Sequence, residues 1–428
     1  MSELQELIQK LCPDGVEYKK LEDIGDFFGG LTGKSKEDFK DGNSKFITYR
    51  NVYANPSLNI DFEDKVKISD NEKQHTVTYG DILFTGSSET PDECGMSSVV
   101  TTQTSEKLYL NSFCFGLRLY KMEEFNLHYL KHILRSNDIR EQIKKTASGV
   151  TRYNVSKKRF AKIYIPVPPI EVQTEIAHIL DDFTDLAAEL QAELQARQEQ
   201  YEYYRDKLLS FNNINGGGYA RVTWMKMSEI LYSIRTGLNP RQFFKLNTPD
   251  AHSYYVTIRE FNGGRLVFSD STDRINESAR MLCNNRSNLE INDVLFSGTG
   301  TIGETFVIDS TPLNWNIKEG VYALKPKLHI IYPKYLKYIL SQSEIKSDYI
   351  KLAEGGTVKS ISMKKLNVFS IPVPTLSEQE RIINILDKFE ALTSDLSQGL
   401  PAEIAAVQEQ YEYYRDKLLS FPKYKLSA

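Results

Sequence analysis

The chain is poor in the residues from which metal centres and disulfide scaffolds are made. Its four cysteines, Cys12, Cys94, Cys114 and Cys283, are scattered with no CxxC pair, which argues against a disulfide framework and a zinc knuckle alike. No apolar run approaches the ~20 residues that a bilayer-crossing helix needs. The opening residues, MSELQELIQKLCPDGVEYKK, are too acidic and too polar for a signal peptide. A cytoplasmic location with no membrane partner is therefore expected. Charge of one sign is also lacking: the net value is −4, with 53 Lys and Arg against 57 Asp and Glu. At 428 residues, 40% hydrophobic and 26% charged, this is the composition of a globular chain with room for two or more domains.

Nucleotide and metal motifs are approached and then missed. GGLTGKS at 29–35, which contains Lys34, leaves three residues between its glycines where a phosphate loop needs four, so a glycine-rich turn is expected. GTGTIG at 298–303 fits GxGxxG, but the following ETFVIDS reads as a strand. Without a helix N-terminus nothing holds a pyrophosphate, and a hairpin turn is expected. His128 and His132 lie one helical turn apart with neither a glutamate between them nor a third ligand nearby, which predicts a partly exposed helix face. NPSL at 55–58 lacks the second proline and the aromatic ring of the motif that gathers a flipped base in amino-methyltransferases. No catalytic, cofactor-binding or metal residue is assigned, and the chain is expected to catalyse nothing by itself.

What is abundant is repetition. QEQYEYYRDKLLSF at 198–211 recurs unchanged at 408–421. IPVPPIEVQTEIAHILDDF at 165–183 answers IPVPTLSEQERIINILDKF at 371–389. SGVTRYNVSKKRF at 148–160 answers EGGTVKSISMKKL at 354–366, ITYRNV at 47–52 answers VTIREF at 256–261, and DILFTGSS at 81–88 answers DVLFSGTG at 293–300. A tandem duplication with close agreement in the helices and little in between predicts two unlike inserts on one frame. The expected fold is α+β: two mixed α/β domains joined by two long helices in an antiparallel intramolecular coiled coil, a pseudo-two-fold tandem repeat. The partition is an N-terminal helical segment 1–14, a first domain 15–168, a central helix 169–212, a second domain 213–374 and a C-terminal long helix 375–428.

Each helix carries a seam in steps of four and three. In the first it includes Ile176, Leu180, Phe183, Leu190, Leu194, Tyr201, Tyr204 and Leu208. In the second it includes Leu396, Leu400, Ile404, Val407, Tyr411, Tyr414 and Leu418, with a stutter and a kink expected at Gly399 and Pro401. The helices are acidic, −6 over 172–211 and −5 over 376–421, which leaves +7 for the remainder. Basic, hydroxyl and amide groups recur at matched places: Thr151, Arg152, Tyr153, Lys157 and Lys158 against Thr357, Lys359, Ser360, Lys364 and Lys365, and Arg50 against Arg259. Such mixtures suit phosphate contacts by Lys and Arg and base-edge contacts by the polar groups. Where the halves diverge, as Thr151, Arg152 and Tyr153 do from Thr357, Val358 and Lys359, they can read different sequences. The candidate DNA-binding set is these residues with Lys34.

Together, LCPDGVEYKKLEDIG near the start, the paired DILFTGSS and DVLFSGTGTIGE, the paired IPVP helix entries and the twice-used QEQYEYYRDKLLSF resemble the specificity (S) subunit of type I restriction-modification systems. The resemblance covers nearly the whole chain. It implies that each insert is a target-recognition domain reading half of a split, asymmetric site on double-stranded DNA, with the helices as spacer. It also implies two modification (adenine methyltransferase) subunits and restriction (translocase/nuclease) subunits as partners, with S-adenosylmethionine, ATP and Mg2+ held by those partners and not by this chain. A coiled-coil adaptor with two ligand-binding inserts is the alternative, and a nucleotide-dependent enzyme built on GTGTIG a more remote one.

Overall fold

The computed structural model describes residues 3–211, 222–394 and 399–422. Two compact units emerge, Met1–Glu189 with Ile404–Ala428, and Leu190–Glu403. This cut crosses the partition read from the sequence. It falls inside the central helix, which runs unbroken over Ile170–Leu209, so each unit owns half of it.

In the first unit, alternating apolar runs build a four-stranded antiparallel sheet in the order Gly25–Gly29, Cys114–Leu119, Ile82–Thr85, Ser97–Val99. A second sheet pairs Ser44–Ile47 in parallel with Leu108–Leu110. Ser87–Ser88 extends into a small sheet with the hairpin Ala147–Ser148 and Tyr153–Val155. The helix Leu127–Ile133, capped by the Asn126 side chain, covers a core that includes Phe84, Phe115, Tyr129, Phe160 and Leu4 of the N-terminal helix Glu3–Leu11.

The second unit repeats the frame. Leu231–Thr236, Val321–Pro326, Val294–Ser297 and Thr305–Val307 form the equivalent antiparallel sheet. Ser253–Val256 again pairs in parallel, with Trp315–Ile317. GTGTIG forms the turn between the antiparallel strands Val294–Ser297 and Thr305–Val307, with Gly300 and Gly303 at positive φ. That is a hairpin with no helix behind it.

The frame shared by the two halves is pinned by buried polar side chains at an offset of 206. Gln173 donates to the carbonyls of Glu124 and Pro168 and accepts from the Asn126 N–H. Gln379 does the same with Ile330, Pro374 and Tyr332. Tyr129 donates to the Pro166 carbonyl and Tyr335 to that of Pro372. In each half these bonds tie the IPVP strand and the helix that follows it to the domain and satisfy backbone carbonyls at the junction.

The repeated phrase docks differently in the two units. In the first, the Tyr411 hydroxyl is 3.0 Å from His132 Nδ1, and His132 Nε2 is 2.6 Å from Asp181. Lys131 and His128 reach the same carboxylate. Burial pushes the Asp181 carboxyl up, but the hydrogen bonds from His132 and Lys131 outweigh it and hold it well below the usual range. His132 is 1% exposed, not on the partly exposed face that its spacing predicts, and burial depresses its pKa. In the second unit the equivalent residue is Tyr338, 2.6 Å from Asp387 and 2.7 Å from Glu390. Arg415 and Asp416 bond Asn137, as Arg205 and Asp206 bond Ser343.

The seams need correction. Ile176 and Leu180 are buried in the first domain core, and Tyr201 and Leu208 pack on the second, because a helix entering directly from a strand must cover its own sheet before it can meet another helix. Each fully buried Ile or Leu contributes ~1.5–3 kcal/mol. Helix meets helix where Phe183 stacks on Tyr414 at 5.4 Å in the first unit and Tyr204 on Phe389 at 5.6 Å in the second. Leu194 is buried, and Leu190, Leu400, Ile404, Val407, Tyr411 and Leu418 are half-buried. The second long helix is two helices, Leu376–Ser394 and Leu400–Leu418. Leu396 lies outside the described residues.

Candidate nucleic-acid interface

A cleft of about 510 Å3 in the first unit brings together three of the residues singled out from sequence, Arg50, Thr151 and Arg152, with Tyr49, Tyr53, Ser87, Ser88, Glu89, Glu93 and Phe113. Its walls are set by half-buried arginines. Arg135 donates to the carbonyls of Val52, Tyr53 and Ser97, fixing the helix Tyr49–Ala54, whose N-cap is the Thr48 side chain. Burial lowers the Arg135 pKa to about 10, which leaves it charged at neutral pH. Arg140 donates to the carbonyls of Asp92, Cys94 and Gly95 and so fixes the loop that carries Glu93. Tyr49 donates to the Ser87 carbonyl and Tyr53 to the Glu93 carboxylate. Burial raises the first phenol's pKa and the Glu93 bond that of the second.

The third wall is the hairpin that carries GVTRYNV. Gly149 has φ +153, and a Cβ there would lie 2.0 Å from the Arg152 carbonyl oxygen, so the turn excludes any side chain at that position. Arg152 is exposed. Its Nε and Nη2 both donate to Ser87 Oγ, at 3.2 and 3.0 Å, and its guanidinium lies 5.0 Å over the Phe113 ring. Phe113 is 56% exposed. Arg50 is exposed and has no hydrogen-bond partner among the described residues.

The second unit carries the same hairpin without the same equipment. Gly355, the counterpart of Gly149, has φ +119, and a Cβ there would lie 2.4 Å from the Val358 carbonyl oxygen. Ser360 bridges Glu354 and Thr299, as Asn154 pairs with Ser148 and Ser87. Thr357 and Lys359 are exposed. Arg259 is held by Asp273 at 2.6 Å.

The remaining candidates divide. Lys158 and Lys364 are exposed on the short helices Lys157–Phe160 and Met363–Val368 with no partner among the described residues. Lys157 lies 5.4 Å over the Phe115 ring. Tyr153 is half-buried in the strand paired with Ser88. The ammoniums of Lys34 and Lys365 are engaged by groups of the chain itself, the first by Glu72 and the Lys67 carbonyl, the second, at the surface, by Glu354 and the Leu352 carbonyl. Their acidic partners, at separations of 38 and 11 residues, carry no helical spacing that would announce a pair in the sequence. Sequence reasoning missed Phe113, Glu89, Glu93, Tyr49 and Tyr53. An unpaired aromatic immediately before the strand Cys114–Leu119 was the available signal for Phe113.

No described helix is long and apolar enough to cross a membrane. Comparison with known proteins places this geometry. The profile of the type I restriction modification DNA specificity domain matches residues 13–200 and 234–406. The chain is 36% identical over 283 residues to a type I restriction enzyme specificity subunit of Escherichia coli, an alignment covering 63% of this chain and 65% of that protein. It thus spans just under two thirds of that relative's length. Among solved structures, a chain from a type I restriction-modification system described for its complex assembly and conformational transition aligns over 95% of this chain and 98% of its own, with a TM-score of 0.63 at 16% identity. The type I S subunit of M. genitalium aligns over 95% and 96%, with a TM-score of 0.50 at 15% identity; at such identities the fold alone is shared. Two family-matched segments, one in each half of a duplicated frame, leave one assignment: the chain belongs to the type I restriction-modification DNA specificity family.

Proposed function

We propose that this chain is the DNA-reading subunit of a type I restriction-modification complex and that its two domains read the two halves of a split, asymmetric site. The observation that carries this reading is the pair of hairpins. The same glycine-dependent turn is presented twice on the same frame, and its tips differ, Thr151, Arg152 and Tyr153 against Thr357, Val358 and Lys359. A shared frame with unlike tips is what two unlike half-sites require. The 40-residue central helix, ~60 Å long at 1.5 Å per residue, is the spacer that sets the number of unread base pairs.

The near-repeat of the frame accommodates two copies of a modification subunit, with restriction subunits added to that assembly. S-adenosylmethionine, ATP and Mg2+ belong to those partners, and this chain contributes recognition without catalysis. The test is to express it with its modification subunit and to map methylated adenines by sequencing. A two-part motif with a fixed spacer is expected. Absence of co-purification and of any methylated motif would overturn the proposal and favour an adaptor role.

A further inference from the structure

The cleft of the first unit does more than offer positive charge, and we infer that Arg152 reads a guanine, with Glu89 accepting from the cytosine of the same base pair. This rests on the DNA-reading role proposed above and names the base pair that one site takes.

A guanidinium has five N–H donors. Two of those on Arg152 are directed at Ser87 Oγ, and the plane is held over Phe113. The Nη1 donors and the outer N–H of Nη2 have no partner among the described residues. This edge is the pair of parallel donors that matches O6 and N7 of guanine in the major groove. Bracing by a hydroxyl and a ring removes the rotamer freedom that a long side chain otherwise loses on binding.

The plain alternative is that Arg152 merely holds its own hairpin. The second unit argues against it. There the register of the strands puts Thr299 in the place of Ser87, Gly320 in that of Phe113 and Val358 in that of Arg152. The hairpin keeps its glycine turn and its pairing although Val358, 60% exposed, supplies no bond. The guanidinium and the ring are absent together while Thr299 keeps a hydroxyl, and the turn stands without them, so the Arg–Phe bracket is no part of the shared frame.

The acids in the cleft sharpen the assignment. A carboxylate facing a polyanion is unfavourable unless it meets a donor, and in the major groove the donor paired with guanine is the cytosine N4 amino group. Glu93 is engaged by Tyr53 and Thr90, whereas Glu89 is exposed with no partner among the described residues. Arg and Glu in one cleft match the edge of one G·C pair.

The experiment uses the full chain in complex with its modification subunit, wild type and with Arg152→Ala or Arg152→Lys. Each complex is read by methylation-site sequencing and by competition binding with single-base variants of the wild-type site. A two-part motif from the wild type establishes the underlying reading by itself, and failure to obtain one refutes that reading before Arg152 is reached. Given the motif, both variants are expected to relax one half-site at a single G·C position. The roughly 5- to 150-fold preference of a bidentate contact should fall to a few-fold, with the other half-site unchanged. Lysine keeps the charge but not the planar fork, so Arg152→Lys should lose the preference while keeping the salt slope. A uniform loss of affinity across all sequences, or Arg152→Lys with full specificity, would make Arg152 a phosphate contact and overturn the inference.

Discussion

The identical phrase QEQYEYYRDKLLSF gives an internal experiment, because the same tyrosine meets different partners in the two units. The Asp181 carboxylate only accepts, so the His132 nitrogen facing it at 2.6 Å carries the proton, and the opposite nitrogen accepts from Tyr411 at 3.0 Å. Replacing Tyr411 by Phe removes the donor and leaves the lone pair of a side chain 1% exposed without a partner. An orphaned buried acceptor costs ~1–3 kcal/mol. The Tyr201 hydroxyl has no hydrogen-bond partner among the described residues, so Tyr201→Phe removes no bond and should stay within about 0.5 kcal/mol. For a unit of this size each kcal/mol shifts Tm by ~2–4 °C. Differential scanning calorimetry of the full chain, with hydrogen exchange assigning each transition to its unit, is expected to show the first unit's Tm reduced by ~2–12 °C in Tyr411→Phe and neither unit's Tm appreciably changed in Tyr201→Phe. Equal effects of the two substitutions would refute the polar latch and leave the phrase as apolar packing alone.

Three further outcomes are expected. Burial depresses the His132 pKa, so below about pH 6.5 the unfolded chain takes up a proton that the folded chain refuses; stability from this group is present above pH 6.5 and declines as pH falls towards the folded pKa. Asp181, already held low, does not change charge in that window, so the first unit's Tm should fall between pH 7 and pH 5 and His132→Phe should flatten the dependence. Neutralising Lys158 or Lys364 should weaken DNA binding alike on all sequences and reduce the salt slope by ~1 each, whereas Lys365, already paired with Glu354, should change the slope less; salt-titrated binding decides this. Deleting residues 187–190, one turn of the central helix, shortens it by ~6 Å, and methylation-site sequencing should then show an altered spacer.

The frame was legible in sequence because duplication acts as a control. Where chemistry recurs at one offset, as in Gln173 and Gln379 or Tyr129 and Tyr335, the structure shows the same buried bonds twice. The seams were read in part: Phe183, Tyr204 and Tyr414 stack between helices, but Ile176 and Leu180 serve a domain core. A heptad pattern reports that a helix face is apolar and says nothing of whether a sheet or a helix covers it. His132 was misread for a related reason, since its burial depends on Asp181 and Tyr411, and separations of 49 and 279 residues leave no local pattern.

Divergence between the halves is a weaker guide to the reading site than it first looks. Asp81 and Asp293 are both buried. The first is paired with Arg118, through Nε at 2.8 Å and Nη2 at 2.7 Å, and the second with Lys325 at 2.8 Å. Here the cations differ, yet both positions do one structural job, neutralising a carboxylate beneath the sheet. Arg152 and Val358 also differ, but no acid in either half requires them. A diverged residue points to recognition only when the frame leaves its donors unspent. That condition separates Arg152, whose outer edge is unengaged, from Arg118, whose Nε and Nη2 are committed to Asp81 and whose Nη2 donates to the Thr76 carbonyl as well. It is a statement about hydrogen-bond partners brought together from distant parts of the chain, so the structure was needed to make it.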